Sequence, residues 1–519
     1  MITYNKEDKI LANIAKVVEK RMKVADDIEL EIDPSLGEYC GKICGKKISA
    51  GSHAQLLEAA GRYLRNPKVE GTFRSHKEFS GMYFTTHFEN YLDAAPLDEL
   101  YVYMEDLALW GMNVVHVWFD LHHFPNMEDE KAKAKSARLL AILKYAKSLG
   151  IKTMMAGPVN EAFYTSPEEL RADWTREHDG YVRTLNDHYH MEICPNKEGG
   201  LEKLIEYRRQ MLEVFKDADL DYWSFGPYDE GGCTCSKCAP WGSNGYLKTY
   251  EAMIPVIKEY MPNVQFILGM WLLDWFTTEN ESAGIQQALA EGRFPEIKYV
   301  NPQHGSYGYT HDMHRPRISF PEISMTDTAP WGGYGANPLP GKFWKLWQEH
   351  GDLEEGGDPY LEGIYADVNA VIMLRCFREN QPAVDTVKEY LAYEFGLEGE
   401  MNEKVCKAIC DMEETLYRDL DVHAHRYVIN NPDKVFEIEE AFAQAHATLP
   451  EDVRESIKWQ VLYLRAMIDG ELKRNDYYRN DKVKEYFQKI ITISHLEKTG
   501  PYTLPDICEG RHPWPGIPD

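Results

Sequence analysis

From about residue 80 to 395, short apolar runs alternate with amphipathic stretches of helical period, and nothing else in the chain constrains its fold as tightly. The runs are Gly81–Phe88, Val114–Asp120, Ile151–Gly157, Leu220–Pro227, Val264–Trp271, Ile297–Asn301, Ile323–Thr326 and Gly363–Asp367. Helices are predicted between most of them: Leu97–Leu109, Lys131–Ser148, Leu201–Phe215, Gly245–Glu259 and Ala283–Ala290. Glycines Gly111 and Gly150 stop the first two. Strands that alternate with helices pair in parallel, so the pattern predicts an α/β fold, a (β/α)8 TIM-type barrel over residues 76–395. A doubly wound open sheet is the alternative. No Gly-x-Gly-x-x-Gly or P-loop pattern opens any of these helices, which argues against its nucleotide-binding form.

The flanks read differently. Residues 1–75 predict a small α+β domain, with a helix at about 6–21, an alternating strand Ile28–Ile32 and a strand pair around Lys42–Ile48. Ser52 and Gln55 form a Ser-x-x-Gln capping box for a helix over Ala54–Leu64. Residues 396–519 predict an α-helical domain, with Glu403–Asp419, Val435–Thr448 and Glu451–Leu472 at helical spacing and an irregular tail from Arg511.

Charge narrows the partners. With 57 Lys and Arg against 84 Asp and Glu, the net charge is −27, the wrong sign for nucleic acid or an acidic membrane surface. No apolar run is long enough to span a bilayer, and the N-terminus lacks a signal-peptide core. Ten cysteines in 519 residues then read as thiols or metal ligands, and the expected compartment is cytoplasmic. The 12 Trp and 32 Tyr suit either a large core or sugar stacking.

In barrels of this type the chemistry sits at the C-terminal strand ends. Those ends carry His87; Trp118, Asp120, His122 and His123; Asn160 and Glu161; Asp229 and Glu230; Trp271 and Asp274; His304; and, further on, Trp331, Tyr365 and Asp367. Carboxylates among Trp and Tyr suit glycoside cleavage, which needs a proton donor, a group that manages oxocarbenium charge, and stacking surfaces. Asp229 and Glu230 are adjacent, and Gly231 and Gly232 permit the bend that would bring both to one ligand. Paired carboxyls raise one another's pKa, so one can remain an acid near neutrality. The competing reading is a helix-capping Asp and a solvated Glu. Beside them, Cys233, Cys235 and Cys238 form Cys-x-Cys-x-x-Cys, and Cys194 precedes the previous helix. Four such thiols match a structural zinc site, against a cluster of reduced thiols.

The stretch Ile48-Ser-Ala-Gly-Ser-His-Ala-Gln-Leu-Leu-Glu-Ala-Ala-Gly-Arg-Tyr-Leu64 followed by a barrel resembles the layout of family 20 β-N-acetylhexosaminidases and family 67 α-glucuronidases. The stretch Pro227-Tyr-Asp-Glu-Gly-Gly-Cys-Thr-Cys-Ser-Lys-Cys238 is similar to the Asp-Gly-Gly and Cys-x-Cys-x-x-Cys pattern of family 163 endo-N-acetylglucosaminidases. The family 20 resemblance implies that Glu230 is the general acid/base and that Asp229 orients a 2-acetamido group whose carbonyl is the nucleophile. In family 20 the glycines precede the acidic pair, and here they follow it.

The expected activity is therefore a retaining exo-β-N-acetylhexosaminidase, with Trp118, Trp271, Trp331 and Tyr365 as stacking walls. Asp120, His122, His304 and Asp367 hold hydroxyls, and His87, Asn160 and Asp274 complete the sugar site. No cofactor is required for the chemistry. Two alternatives stand beside it: a glycosidase without acetamido participation, such as an inverting α-glucuronidase-like enzyme using Arg183, Arg375 or Arg378, and a non-catalytic carbohydrate-binding protein. The helical C-terminal region offers a surface for a homodimer.

Overall fold

The computed structural model describes residues 1–22, 26–86, 90–173, 191–227, 232–271, 273, 281–302, 313–324, 336–415, 418–421, 426–429, 431–476 and 480–498. Contacts divide the chain into two compact units. One comprises Met1–Asn113, Glu322–Asp352 and Pro359–Asp519, the other Val114–Pro321 and Leu353–Asp358.

The first unit begins with a five-stranded sheet. Its strands are β1 (Ile2–Thr3), β2 (Ile28–Ile32), β3 (Cys40–Cys44), β4 (Lys47–Ala50) and β5 (Gly71–Arg74), in the order β1-β2-β4-β3-β5. Alternation along β2 puts Ile28 and Leu30 in the core, with Leu30 opposite Ile48 of β4. Helix His53–Arg65 starts at Ser52, whose hydroxyl accepts from the Gln55 backbone N–H as the capping pattern predicts. The reciprocal half of the box is not made. Gln55 turns inward instead, donating to Glu58 and accepting from Ser75 and Arg378. Burial opposes the Glu58 charge, but Arg378 and Arg62 outweigh it and hold its pKa at about 2.

Farther along this unit, β6 (Phe79–Phe84) pairs in parallel with a short strand at Tyr360–Leu361. Helices Leu97–Leu109, Pro340–His350, Asp367–Glu379, Ala383–Phe395, Gly399–Glu414, Lys434–Thr448, Ile457–Arg474 and Asp481–Ile493 supply most of the rest. One expected strand is corrected here, and of another, Ile323–Thr326, the last two residues lie outside the described residues. Residues Gly363–Asp367 form a 3-10 turn, Ile364–Ala366, that runs into helix Asp367–Glu379. The strand lies just upstream, at Tyr360–Leu361. Around Ile323 the described residues make only an isolated bridge, Glu322 to Tyr360. Short apolar runs such as Gly-Ile-Tyr-Ala suit a strand or a buried turn equally, and only pairing partners decide. The predicted helix to Asp419 stops at Glu414, and Arg418–Asp421 instead pairs antiparallel with Arg426–Ile429.

The second unit is a parallel α/β layer. Its strands β7 (Val114–Trp118), β8 (Lys152–Pro158), β9 (Tyr222–Gly226), β10 (Gln265–Gly269) and β11 (Ile297–Asn301) lie side by side in sequence order. Helices Glu130–Ser148, Gly200–Phe215, Leu247–Tyr260 and Glu281–Ala290 intervene. Every residue of β7 is buried, as expected for a parallel strand covered on both faces. Because the strands are parallel, Trp118, Pro158, Gly226, Gly269 and Asn301 all stand at one edge of the sheet. Among the described residues of either unit, no helix is long and apolar enough to cross a membrane.

Candidate functional site

At the exits of β7 and β8, Trp118, His122 and Glu161 of the second unit form one buried cluster. Trp118 closes β7, and the 3-10 turn Leu121–His123 follows, bringing His122 and His123 back over the strand end. Glu161 lies three residues past β8. His122 Nδ1 is 2.8 Å from Glu161 Oε1, and Trp118 Nε1 donates to Glu161 Oε2 at 3.4 Å. Gly157 makes room for this. A Cβ there would stand 3.1 Å from both Glu161 Oε2 and Trp118 Nε1.

Burial pushes the Glu161 carboxyl well above the usual carboxylate range; Arg208 pulls against that shift, and Asp120 and Glu192 add to it. That direction favours the protonated form, the one a proton-donating carboxyl needs. Asp120 shows the opposite. Burial works to raise it, but His123, paired with it through Nδ1 and Oδ2, outweighs burial and lowers it. Its other oxygen, Oδ1, is buried without a hydrogen-bond partner among the described residues. Arg208, buried on helix Gly200–Phe215, donates to the Pro158 carbonyl at the end of β8.

Of the residues picked from sequence, Trp118, Asp120 and His122 come together here. Asn160 is adjacent in the chain, but its amide donates to Ile193 O while its own carbonyl accepts from Ile193 N, so it ties down the next segment. Trp271, two residues past β10, is half-buried and meets Phe320 edge to face. The first unit holds the remaining two described residues. Tyr365 is 4% exposed and packs edge-on against Tyr91, which leaves no open stacking face. The Asp367 carboxylate accepts from Tyr390 and pairs with Lys458 inside a helical core. His87, Asp229, Glu230, Asp274, His304 and Trp331 lie outside the described residues.

Glu161 stood in the strand-end set without a role, and only its contacts supply one. His116 was missed altogether. It sits two residues before Trp118 on β7, hence on the same face, with Nδ1 against Asp358 Oδ2 and both residues buried. The available signal was a lone histidine inside an apolar strand, Val-Val-His-Val-Trp. The four cysteines named from spacing do converge: the sulfurs of Cys194, Cys233, Cys235 and Cys238 all lie within 4.8 Å of one another.

No family model matches the sequence, and no curated protein matches it. Solved structures do. A family 89 glycoside hydrolase from Clostridium perfringens, bound to PUGNAc, superposes with a TM-score of 0.60 at 13% identity, covering 94% of this chain and 65% of that one. A variant of that enzyme in complex with its substrate GlcNAc-α-1,4-galactose gives 0.59 at 13% identity, covering 95% of this chain and 65% of that one. A family 138 enzyme targeting pectin rhamnogalacturonan II gives 0.53 at 10% identity, covering 96% of this chain and 73% of that one. The chain thus spans about two thirds of the length of the Clostridium enzyme and has a fold found in glycoside hydrolases.

Proposed function

We propose that this chain is a glycoside hydrolase that releases a 2-acetamido sugar with retention. One observation carries the reading: a fold shared with glycoside hydrolases presents, at the C-terminal edge of its parallel strands, a buried carboxyl, its pKa raised by burial, in contact with an indole and an imidazole. In this proposal the strands belong to a (β/α)8 cylinder. Glu230, which follows β9 in sequence, protonates the leaving oxygen and then activates water, while Asp229 orients the acetamido group. Trp271 gives a stacking surface. Glu161 acts through His122: a protonated carboxyl donating to Nδ1 leaves the ring proton on Nε2, and His122 then donates to a sugar hydroxyl.

The 2-acetamido ligands of the family 89 structures support the substrate class. The sequence resemblance favours a β-linkage. The α-linked substrate of the Clostridium enzyme favours a second reading, an α-N-acetylhexosaminide. Aryl α- and β-N-acetylhexosaminides and aryl glucuronides, given to wild type and to Glu230→Gln, test both. Turnover of an N-acetylhexosaminide that disappears in Glu230→Gln, with inhibition of wild type by a thiazoline, is the expected result. Turnover of glucuronides alone, or inversion at the anomeric carbon, overturns acetamido participation. Sugar binding without turnover of any substrate overturns the enzyme itself.

A further inference from the structure

The cysteine cluster has no part in that mechanism, and its geometry points to a ligand of its own. A tetrahedral ion with metal–sulfur bonds of about 2.3 Å sets its four sulfurs about 3.8 Å apart. Cys194 Sγ lies 3.8 Å from Cys235 Sγ and 3.5 Å from Cys238 Sγ, and all four sulfurs fall within 4.8 Å of one another. None of the four is in a disulfide. Three come from one turn, in which Cys238 N and Ala239 N both donate to Cys235 O, and the fourth comes from 39 residues upstream of Cys233.

The surroundings supply donors to the sulfurs. The Asp173 backbone N–H donates to Cys233 Sγ at 3.3 Å, and the Asn196 side-chain amide donates to Cys238 Sγ at 3.2 Å. Donors of this kind orient ligand sulfurs and disperse their charge. Lys197 is one more neighbour: its ammonium donates to Asp173 and to the Arg171 carbonyl. Two buried sulfurs drawn together for a disulfide would not explain a third and fourth at the same spacing. Cys194, Cys233 and Cys238 are fully buried and Cys235 is partly exposed, so most of the group is shielded from solvent, as in structural metal sites.

We infer that Cys194, Cys233, Cys235 and Cys238 bind one zinc ion as a tetrathiolate. The ion fastens the segment before helix Gly200–Phe215 to the loop that follows β9. Four protein ligands leave no open position, so the metal is structural and offers no site to substrate.

The test uses the full-length protein purified without chelator or added metal. Elemental analysis should find about one zinc per chain, released when a mercurial titrates the thiols. Exchange into cobalt(II) should give the thiolate charge-transfer bands and intense d–d bands of a tetrahedral sulfur site. Cys238→Ser should lose the metal, whereas Cys406→Ser should keep it. Should Cys238→Ser fail to fold, the cobalt spectrum of the wild type decides alone. A metal-free protein whose four thiols titrate freely, or one with these cysteines in disulfides, overturns the inference.

Discussion

Around Lys458 three carboxylates share one ammonium; around Glu161 one carboxyl meets an imidazole and an indole. Both sets are buried, and both hold acids whose pKa is displaced. Asp106, Asp367 and Glu394 lie 3.2, 3.4 and 3.2 Å from Lys458 Nζ. They come from helices Leu97–Leu109, Asp367–Glu379 and Ala383–Phe395, and Lys458 from Ile457–Arg474. Burial raises Asp367 and Glu394, with Lys458 opposing, a direction that limits the excess negative charge of the cluster. Its charges answer one another within a helical core. The Glu161 set stands instead at parallel strand ends, with donors and acceptors of mixed kind and an Asp120 oxygen without a partner among the described residues. A displaced pKa occurs in both kinds of place. What separates them is whether the neighbours are counter-charges or groups able to pass and orient protons.

The contrast can be broken by experiment. Glu230→Gln should lower turnover by about 10²–10⁴-fold with no change in the urea unfolding midpoint, since Gln keeps the shape of the side chain and removes the proposed proton donor. Lys458→Ala should do the reverse. It strands three buried carboxyls and should cost about 3–5 kcal/mol of stability, read by urea titration, while kcat per folded molecule stays unchanged. A fall in kcat without destabilisation would merge the two regions.

Glu161→Gln should lower kcat/KM by about tenfold, the scale of one oriented hydrogen bond. It should also alter the pH dependence of stability. Because burial raises the folded pKa of Glu161, the native state holds a proton that the unfolded chain gives up above the ordinary carboxylate range. Wild-type stability should therefore decline as pH rises above about 4.3, and the Gln variant should decline less. Urea midpoints at acidic and mildly alkaline pH compare the two.

The smallest effect on substrate kinetics is expected at Glu362 in the first unit. Burial, with Glu322 nearby, pushes it up to about 8. Its contribution likewise falls as pH rises, by at most about 1.4 kcal/mol per pH unit, and levels off above the folded pKa. Glu362→Gln should remove that slope without touching substrate kinetics. A change in KM would place Glu362 with the Glu161 set.

Much of the second unit was legible from local pattern. Strand β11 coincides with the predicted Ile297–Asn301, and β7 to β10 fall inside or within a residue of their predicted runs, because buried parallel strands are apolar throughout. Of the helices between them, Glu130–Ser148 starts at a capping residue, Asp129, whose carboxylate accepts from the Lys131 and Ala132 backbone N–H groups. The cysteine group was legible for a related reason: three of its members are within six residues of one another.

Partnership over long separations was not legible. Nothing near His116 announces Asp358, 242 positions away, and nothing near Asp367 announces Lys458. Asp367 looked like a strand-end residue facing a cavity, yet the turn before it rotates the helix so that its carboxylate points into the helical core. Local composition determines which segments are strands, which are helices and where they end, since backbone hydrogen bonding and side-chain period act over a few residues. Which buried acid meets a cation, and which meets an imidazole, was decided only when distant segments packed, because the energy of a buried charge depends on what surrounds it in space.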